Sequence, residues 1–394
     1  MSRPTAPAAL AVLAVFAASA GLLAGCASKP AVAAPKPVAL PAPLATSLSD
    51  AAGTSWAAVV MGGSAKQHNN FWELFVRARG AADWTEVTPP GIADNGGMVL
   101  ASPAPQSVLV GFRASQGLTF SPLTSSTDDG THWSPGALVS PGLADQPDAL
   151  AAGPGDSLLA LSGDGRVQLG SRLGARWSSL TSEQSVGRSA PGRDCGLTGL
   201  TAVAFSPAGQ PMLAGDCTKA GKVGILARSG GSWRLSGPVL PASLGAGGTS
   251  VLRLATTGTT TSALIAIRSG KSVGLVAAWS SDGGANWSVS AELPGPSAAL
   301  QSAAFWPGGA VAVVLAGGRG AVLASPGAAW RKLPALPART ATLAQGPGGR
   351  LDAIAAGISS SSALGSTMTA WQLDRSGWQR IQTVRVDVPY GSSS

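Results

Sequence analysis

The groups in this chain best suited to covalent chemistry are its three cysteines, Cys26, Cys195 and Cys217. Cys26 follows Leu23-Ala24-Gly25 at the end of an apolar stretch from Ala8 to Leu23 that Arg3 precedes. A thiolate is a good nucleophile, so a cysteine at this position can carry a covalent modification. If Cys26 is modified, Cys195 and Cys217 remain as a pair, and in an oxidising compartment a disulfide is their default state. Two histidines, and cysteines without Cys-x-x-Cys spacing, give no metal-site pattern, and no cofactor is expected. For acid–base chemistry the sequence offers no pair of carboxylates that stands out, and the only tyrosine is Tyr390.

The residues that recur most regularly are tryptophans. Trp84, Trp133, Trp177, Trp233, Trp287, Trp330 and Trp378 are separated by 49, 44, 56, 54, 43 and 48 residues. In five cases a glycine stands three residues earlier: Gly130, Gly174, Gly230, Gly284 and Gly327. Two of the turns are fuller, Ser126-Thr-Asp128-Asp-Gly130-Thr-His-Trp133 and Ser280-Ser-Asp282-Gly-Gly284-Ala-Asn-Trp287. Between the tryptophans run short stretches of branched and small residues. The fourth repeat is the clearest, with Leu200 to Phe205, Pro211 to Gly215, Lys222 to Ala227 and then Trp233. Four short antiparallel strands per repeat at this period predict an all-β chain, a β-propeller of seven four-stranded blades, with six as the alternative. The second repeat reads as Met98 to Ala101, Val108 to Phe112 and Leu118 to Pro122, and the innermost strand of the first must come from around Leu48. Each tryptophan is expected to wedge between adjacent blades. Trp306, beside Pro307, could be a sugar platform, but packing is the favoured reading.

The ends complete the organisation. Residues 1–25 read as an export signal, 26–47 as the modified cysteine and an extended Pro/Ala-rich tether, 48–388 as the propeller and 389–394 as a tail. After Cys26 no stretch reaches the roughly 20 apolar residues of a spanning helix. Charged residues are 12% of the chain and the net charge is +8, with arginine far outnumbering lysine. Such a charge suits an anionic membrane or wall. No basic run interleaved with aromatics points to nucleic acid.

Leu23-Ala24-Gly25-Cys26 resembles the lipobox of bacterial lipoproteins. The resemblance implies lipidation of Cys26 and anchorage to the outer face of the cytoplasmic membrane, or to the outer membrane in a diderm. The Ser-x-Asp-x-Gly-x-x-Trp turns resemble the Asp-box, or BNR repeat, of sialidases and related propellers. It implies a structural role for Ser126, Asp128, Gly130, Trp133, Ser280, Asp282, Gly284 and Trp287, on turns away from the active site. A sialidase would also need a tyrosine nucleophile, an acid/base carboxylate and three clustered arginines. Tyr390 lies beyond the last strand, so the resemblance is to non-catalytic members, including the photosystem-assembly type. A glycan-cleaving hydrolase is the alternative.

In such a blade, the loops joining second to third strands and each blade to the next share one face. Here that face gathers Lys66, His68, Arg113, Arg166, Lys219, Lys222, Arg268, Lys271 and Arg319, with Arg188 and Arg193 in the long connection from Thr181 to Leu197. A Cys195–Cys217 bridge would pin that connection down. The expectation is an electropositive, disulfide-braced face for an anionic cell-wall polymer, a lipid headgroup or an acidic protein. His132, inside one of the turns, is read as surface structure.

Overall fold

The computed structural model describes residues 45–50, 52–62, 70–89, 97–112, 123–134, 147–171, 177–244, 247–269, 272–293, 300–358 and 365–387. Short runs of valine, leucine, isoleucine and alanine, punctuated by Gly and Pro turns, form strands that fall into seven consecutive antiparallel units. The first comprises β1 (Ala45–Ser49), β2 (Ser55–Gly62), β3 (Asn70–Arg77) and β4 (Thr85–Glu86). The second has β5 (Met98–Ala101), β6 (Val108–Phe112) and β7 (Leu123–Ser126). The third has β8 (Pro147–Ala152), β9 (Ser157–Ser162), β10 (Arg166–Ser171) and β11 (Trp177–Ser182). The helices α1 (Glu183–Arg188) and α2 (Ala190–Cys195) follow. The fourth unit is β12 (Leu197–Phe205), β13 (Pro211–Cys217), β14 (Gly224–Ser229) and β15 (Ser232–Leu235). The fifth is β16 (Thr249–Thr257), β17 (Thr260–Ser269), β18 (Ser272–Ser280) and β19 (Ser288–Val289). The sixth is β20 (Leu300–Trp306), β21 (Ala310–Leu315), β22 (Arg319–Leu323) and β23 (Arg331–Lys332). The seventh is β24 (Thr340–Gln345), β25 (Leu351–Ile358), β26 (Gly365–Asp374) and β27 (Gly377–Asp387).

The first strands of successive units touch one another around a common axis, and β24 returns to β1. Each sheet is apolar on both faces, so it must bury both. Accordingly the core of the described residues is not one mass but seven clusters, each between consecutive units. Val59, Phe75 and Trp84 of the first unit pack with Ile354, Met368 and Val386 of the seventh, which closes the cycle. The architecture is a β-propeller, as the repeat predicts.

Some details differ from the sequence reading. The first strand contains Leu48 but starts at Ala45, inside the stretch read as tether. The third strand of the second unit is Leu123–Ser126 rather than Leu118 to Pro122; 113–122 lie outside the described residues. The connection from Thr181 to Leu197 holds two short helices. Ser182 Oγ accepts from Ser185 N, Ser189 Oγ accepts from Gly192 N, and Gly196 ends α2 in the left-handed region.

All seven repeat tryptophans pack into the cluster between their own unit and the preceding one. Of these only Trp84 and Trp177 are buried. The others are half-buried, because the fourth strand lies at the rim, where the neighbouring sheet no longer covers the whole indole. Three indole N–H groups reach back to the preceding unit: Trp287 to Ser236 O at 2.5 Å, Trp330 to Ala291 O at 3.0 Å and Trp378 to Pro334 O at 3.5 Å. Trp306 is buried in the cluster between the sixth and seventh units, so packing explains it.

The axis is drawn in where β1 pairs in parallel with β20, Ser47 opposite Ala304 and Leu48 opposite Phe305. Buried hydroxyls there satisfy one another. Ser47 Oγ donates to Leu343 O at 2.6 Å, and Ser302 Oγ lies 2.8 Å from Thr342 Oγ1.

Glu73 on β3 is a buried acid whose pKa burial pushes up from 4.5 to about 7; the Thr88 hydroxyl, donating to its Oε2, opposes that rise and Glu86 adds to it. The folded state therefore binds the proton more tightly than the unfolded chain, and stability falls as pH rises from about 4.5 to about 7. Glu73→Gln should remove this slope, stabilising the protein at pH 8 by about 1–3 kcal/mol and little at pH 4. Urea unfolding at the two pH values checks this; equal effects at both would contradict it.

Candidate binding face

Two kinds of turn mark the two ends of the sheets. At one end lie the described turns before the repeat tryptophans, and in two of them serine and aspartate build the same structure twice. Ser126 Oγ donates to Asp128 Oδ1 at 2.8 Å and accepts from Gly130 N at 2.9 Å. Ser280 Oγ does the same with Asp282 Oδ1 at 2.8 Å and Gly284 N at 2.8 Å. The carboxylates then cap the turn through His132 N at 2.9 Å and Asn286 N at 2.9 Å. These backbone donors, with the side chains of His132 and Ser126 or of Asn286 and Ser280, hold both aspartates down to about 2. Such low, exposed carboxylates are turn fasteners rather than proton donors near neutral pH. His132 Nδ1 sits 2.6 Å from Asp128 Oδ2 on an exposed side chain, which agrees with surface structure.

The glycines are fixed twice over. Gly130 and Gly284 have φ of +83° and +88°, and a Cβ would collide with Val87 and Ser236 respectively. Both partners stand three residues after the tryptophan of the preceding unit. Trp133 and Trp287 then enter the clusters beside those partners.

The other end carries the longer connections and the residues singled out for binding. Cys26, Lys66, His68, Arg113 and Lys271 lie outside the described residues. Arg166, Arg188, Arg193, Lys219, Lys222, Arg268 and Arg319 fall at this end, on the second-to-third connection of the fourth unit, at the ends of second or third strands, or on the helical insertion. Cys195 and Cys217 form a disulfide. It ties the end of α2 to the end of β13, and Lys219 N donates to Cys195 O at 3.1 Å beside it. Glu183, at the start of α1, accepts from Leu200 N at 3.0 Å and so fastens the insertion to β12. Val186 buries into the cluster between the third and fourth units. The insertion is thus held at three points.

Its electrostatics are mixed. Arg166 Nε pairs with Asp164 at 2.9 Å and Lys222 Nζ with Asp194 at 3.4 Å. Arg193 donates to Arg188 O, and Arg319 Nε to Ala316 O at 3.2 Å. Arg268 Nε is buried and has no hydrogen-bond partner among the described residues. Arg188 and Lys219 are exposed and make no ion pair among the described residues, which leaves them as the cations freest to meet a partner.

Sequence reasoning missed three groups here. Glu183 Oε2 and Asp216 Oδ2 flank Gly199, each 4.0 Å from where a Cβ would stand. Glu183 is committed to Leu200 N, while Asp216 Oδ1 is buried without a partner among the described residues. Arg253, on the innermost strand of the fifth unit, has its pKa pulled down by burial to about 10. For Arg253 the available signal was a charged residue within an otherwise uncharged strand sequence. No group of three or more metal-ligating side chains occurs among the described residues, and no described helix is long and apolar enough to cross a membrane.

No family model matches this chain, and no curated protein matches it in sequence. Among solved structures it is similar to YCF48 from Cyanidioschyzon merolae, with 13% identity and a TM-score of 0.45 over 89% of this chain and 98% of that one. A structure of YCF48 bound to D1 peptide has 14% identity and a TM-score of 0.43, covering 89% and 94% of the two chains. The extracellular domain of BT4673 from B. thetaiotaomicron has 10% identity and a TM-score of 0.47, covering 87% of this chain and 46% of that one.

Proposed function

We propose that this chain is an exported, lipid-anchored propeller of seven blades that acts as a non-catalytic binding or assembly module at the cell envelope. Its docking surface is the loop-rich end, and its partner is anionic: a wall glycan, a lipid headgroup or an acidic protein. Cys26 is the anchor and the Pro/Ala-rich segment to residue 44 the tether. Seven inter-unit clusters support the blade count, and the two matching serine–aspartate turns support the Asp-box reading.

The observation that carries the functional reading is the insertion between β11 and β12. A connection that only crossed from one sheet to the next would need no disulfide, no carboxylate fastening and no buried valine. Holding Arg188 and Lys219 on a rigid mount lowers the ordering cost of binding. The opposite end spends its carboxylates on its own turns.

Replacing both cations, Arg188→Glu with Lys219→Glu, should weaken retention on envelope fractions by about tenfold and reduce its salt dependence. Retention unchanged by the substitutions and by added salt would overturn the proposal.

A further inference from the structure

The longest fourth strand is β27, with 11 residues. The fourth strands of the first, fifth and sixth units have two each, β15 has four and β11 six. β27 ends its sheet, and no described strand pairs with its outer edge. Long open edges are templates for another strand, and proteins ordinarily keep them short. This one is also chemically marked. Gln379, Arg380, Ile381, Thr383 and Arg385 are exposed along it.

Ile381 is one of only two large hydrophobics exposed among the described residues. The register jumps there, from Trp371 opposite Arg380 to Ala370 opposite Gln382, so Ile381 sits in a bulge without a partner on β26. Residues 300–387 hold eight arginines and lysines against three carboxylates, a net of +5 out of +8 for the whole chain. One of those carboxylates, Asp352, is buried on Arg77. Across the seam Trp378 Nε1 donates to Pro334 O at 3.5 Å, two residues along the chain from the exposed Arg331-Lys332 pair of β23.

We propose that the outer edge of β27 docks an extended acidic polypeptide segment, which adds to the seventh sheet as a fifth strand. The segment's backbone pairs with the open edge, its carboxylates meet Arg380 and the Arg331-Lys332 pair, and an apolar side chain covers Ile381. A second copy is a poorer occupant, because two such edges in pairing would face arginine-rich strands toward each other. The chain's own residues 26–44 are poorer still: they carry Lys29 and Lys36, no acid, and prolines that cannot donate.

The test is titration of the full chain with an eight-residue peptide of alternating glutamate and valine, read by fluorescence anisotropy and by amide hydrogen exchange. The expected result is saturable binding with slowed exchange in residues 377–387. Arg380→Glu should weaken it about tenfold, while Arg234→Glu, exposed on β15 of the fourth unit, leaves it unchanged. The proposal is overturned if the peptide does not bind, if Arg380→Glu binds it equally, or if protection falls on residues 183–196 instead. Binding of phosphatidylglycerol vesicles without binding of the peptide would also overturn it, in favour of a membrane.

Discussion

Asp352→Ala is expected to destabilise the protein by about 3–5 kcal/mol, because it strands a buried cation. Asp352 is fully buried and Arg77 nearly so. Asp352 Oδ2 accepts from Arg77 Nη1 and from Trp84 Nε1 at 3.2 Å, and Oδ1 accepts from Gln372 Nε2 at 3.1 Å. Arg77 Nη2 donates to Gln345 O, and its guanidinium lies 4.9 Å from the centre of the Trp84 ring. Burial lowers the Arg77 pKa and the Asp352 carboxylate pulls it back up. This pair joins β3 of the first unit to β25 of the seventh, at the seam where the first and last described units meet. Replacing both partners, Arg77→Met with Asp352→Leu, should cost far less than Asp352→Ala alone, since no unpaired charge remains. Chemical denaturation of the three variants checks the ordering; an Asp352→Ala transition at the parent midpoint would remove the pair from the account.

Trp84→Ala should cost a similar amount, about 3–5 kcal/mol. Trp84 is 1% exposed, and the Gln382 side chain brackets its backbone, Oε1 accepting from Trp84 N at 2.7 Å and Nε2 donating to Trp84 O at 2.9 Å. The effect should exceed that of Trp233→Ala, whose indole is half-buried. Because Trp84 also donates to Asp352, Trp84→Ala and Asp352→Ala should not add, and the double variant should show a coupling of about 0.5–3 kcal/mol. Thermal unfolding of the four proteins measures it; strict additivity would mean that tryptophan and ion pair stabilise the seam separately.

The repeat was legible because its residue types are distinctive. A glycine at positive φ pressed against the preceding unit and an indole filling the cluster at that same seam leave few substitutes, so Gly130, Gly284 and the tryptophans announce the turns. The cysteine pair followed from arithmetic. The Arg77–Asp352 pair was not legible: its members are 275 residues apart, and nothing local distinguishes a seam arginine from a surface one. The helices α1 and α2 escaped notice although Ser182, Ser189, Pro191 and Gly196 are ordinary start and stop residues, because six residues show no apolar period. At the loop-rich end, sequence supplied the cations but not their company. Asp164 and Asp194 pair with Arg166 and Lys222, and Arg193 and Arg319 donate to backbone carbonyls, which leaves Arg188 and Lys219 as the cations least engaged.

The most direct test of the proposed docking end is amide hydrogen exchange of the full chain, alone and with solubilised envelope material. Slowed exchange in residues 183–196 and 218–222, with the turns at 127–132 and 281–286 unchanged, is the predicted result. Protection of those turns, with none on the disulfide-held insertion, would contradict it.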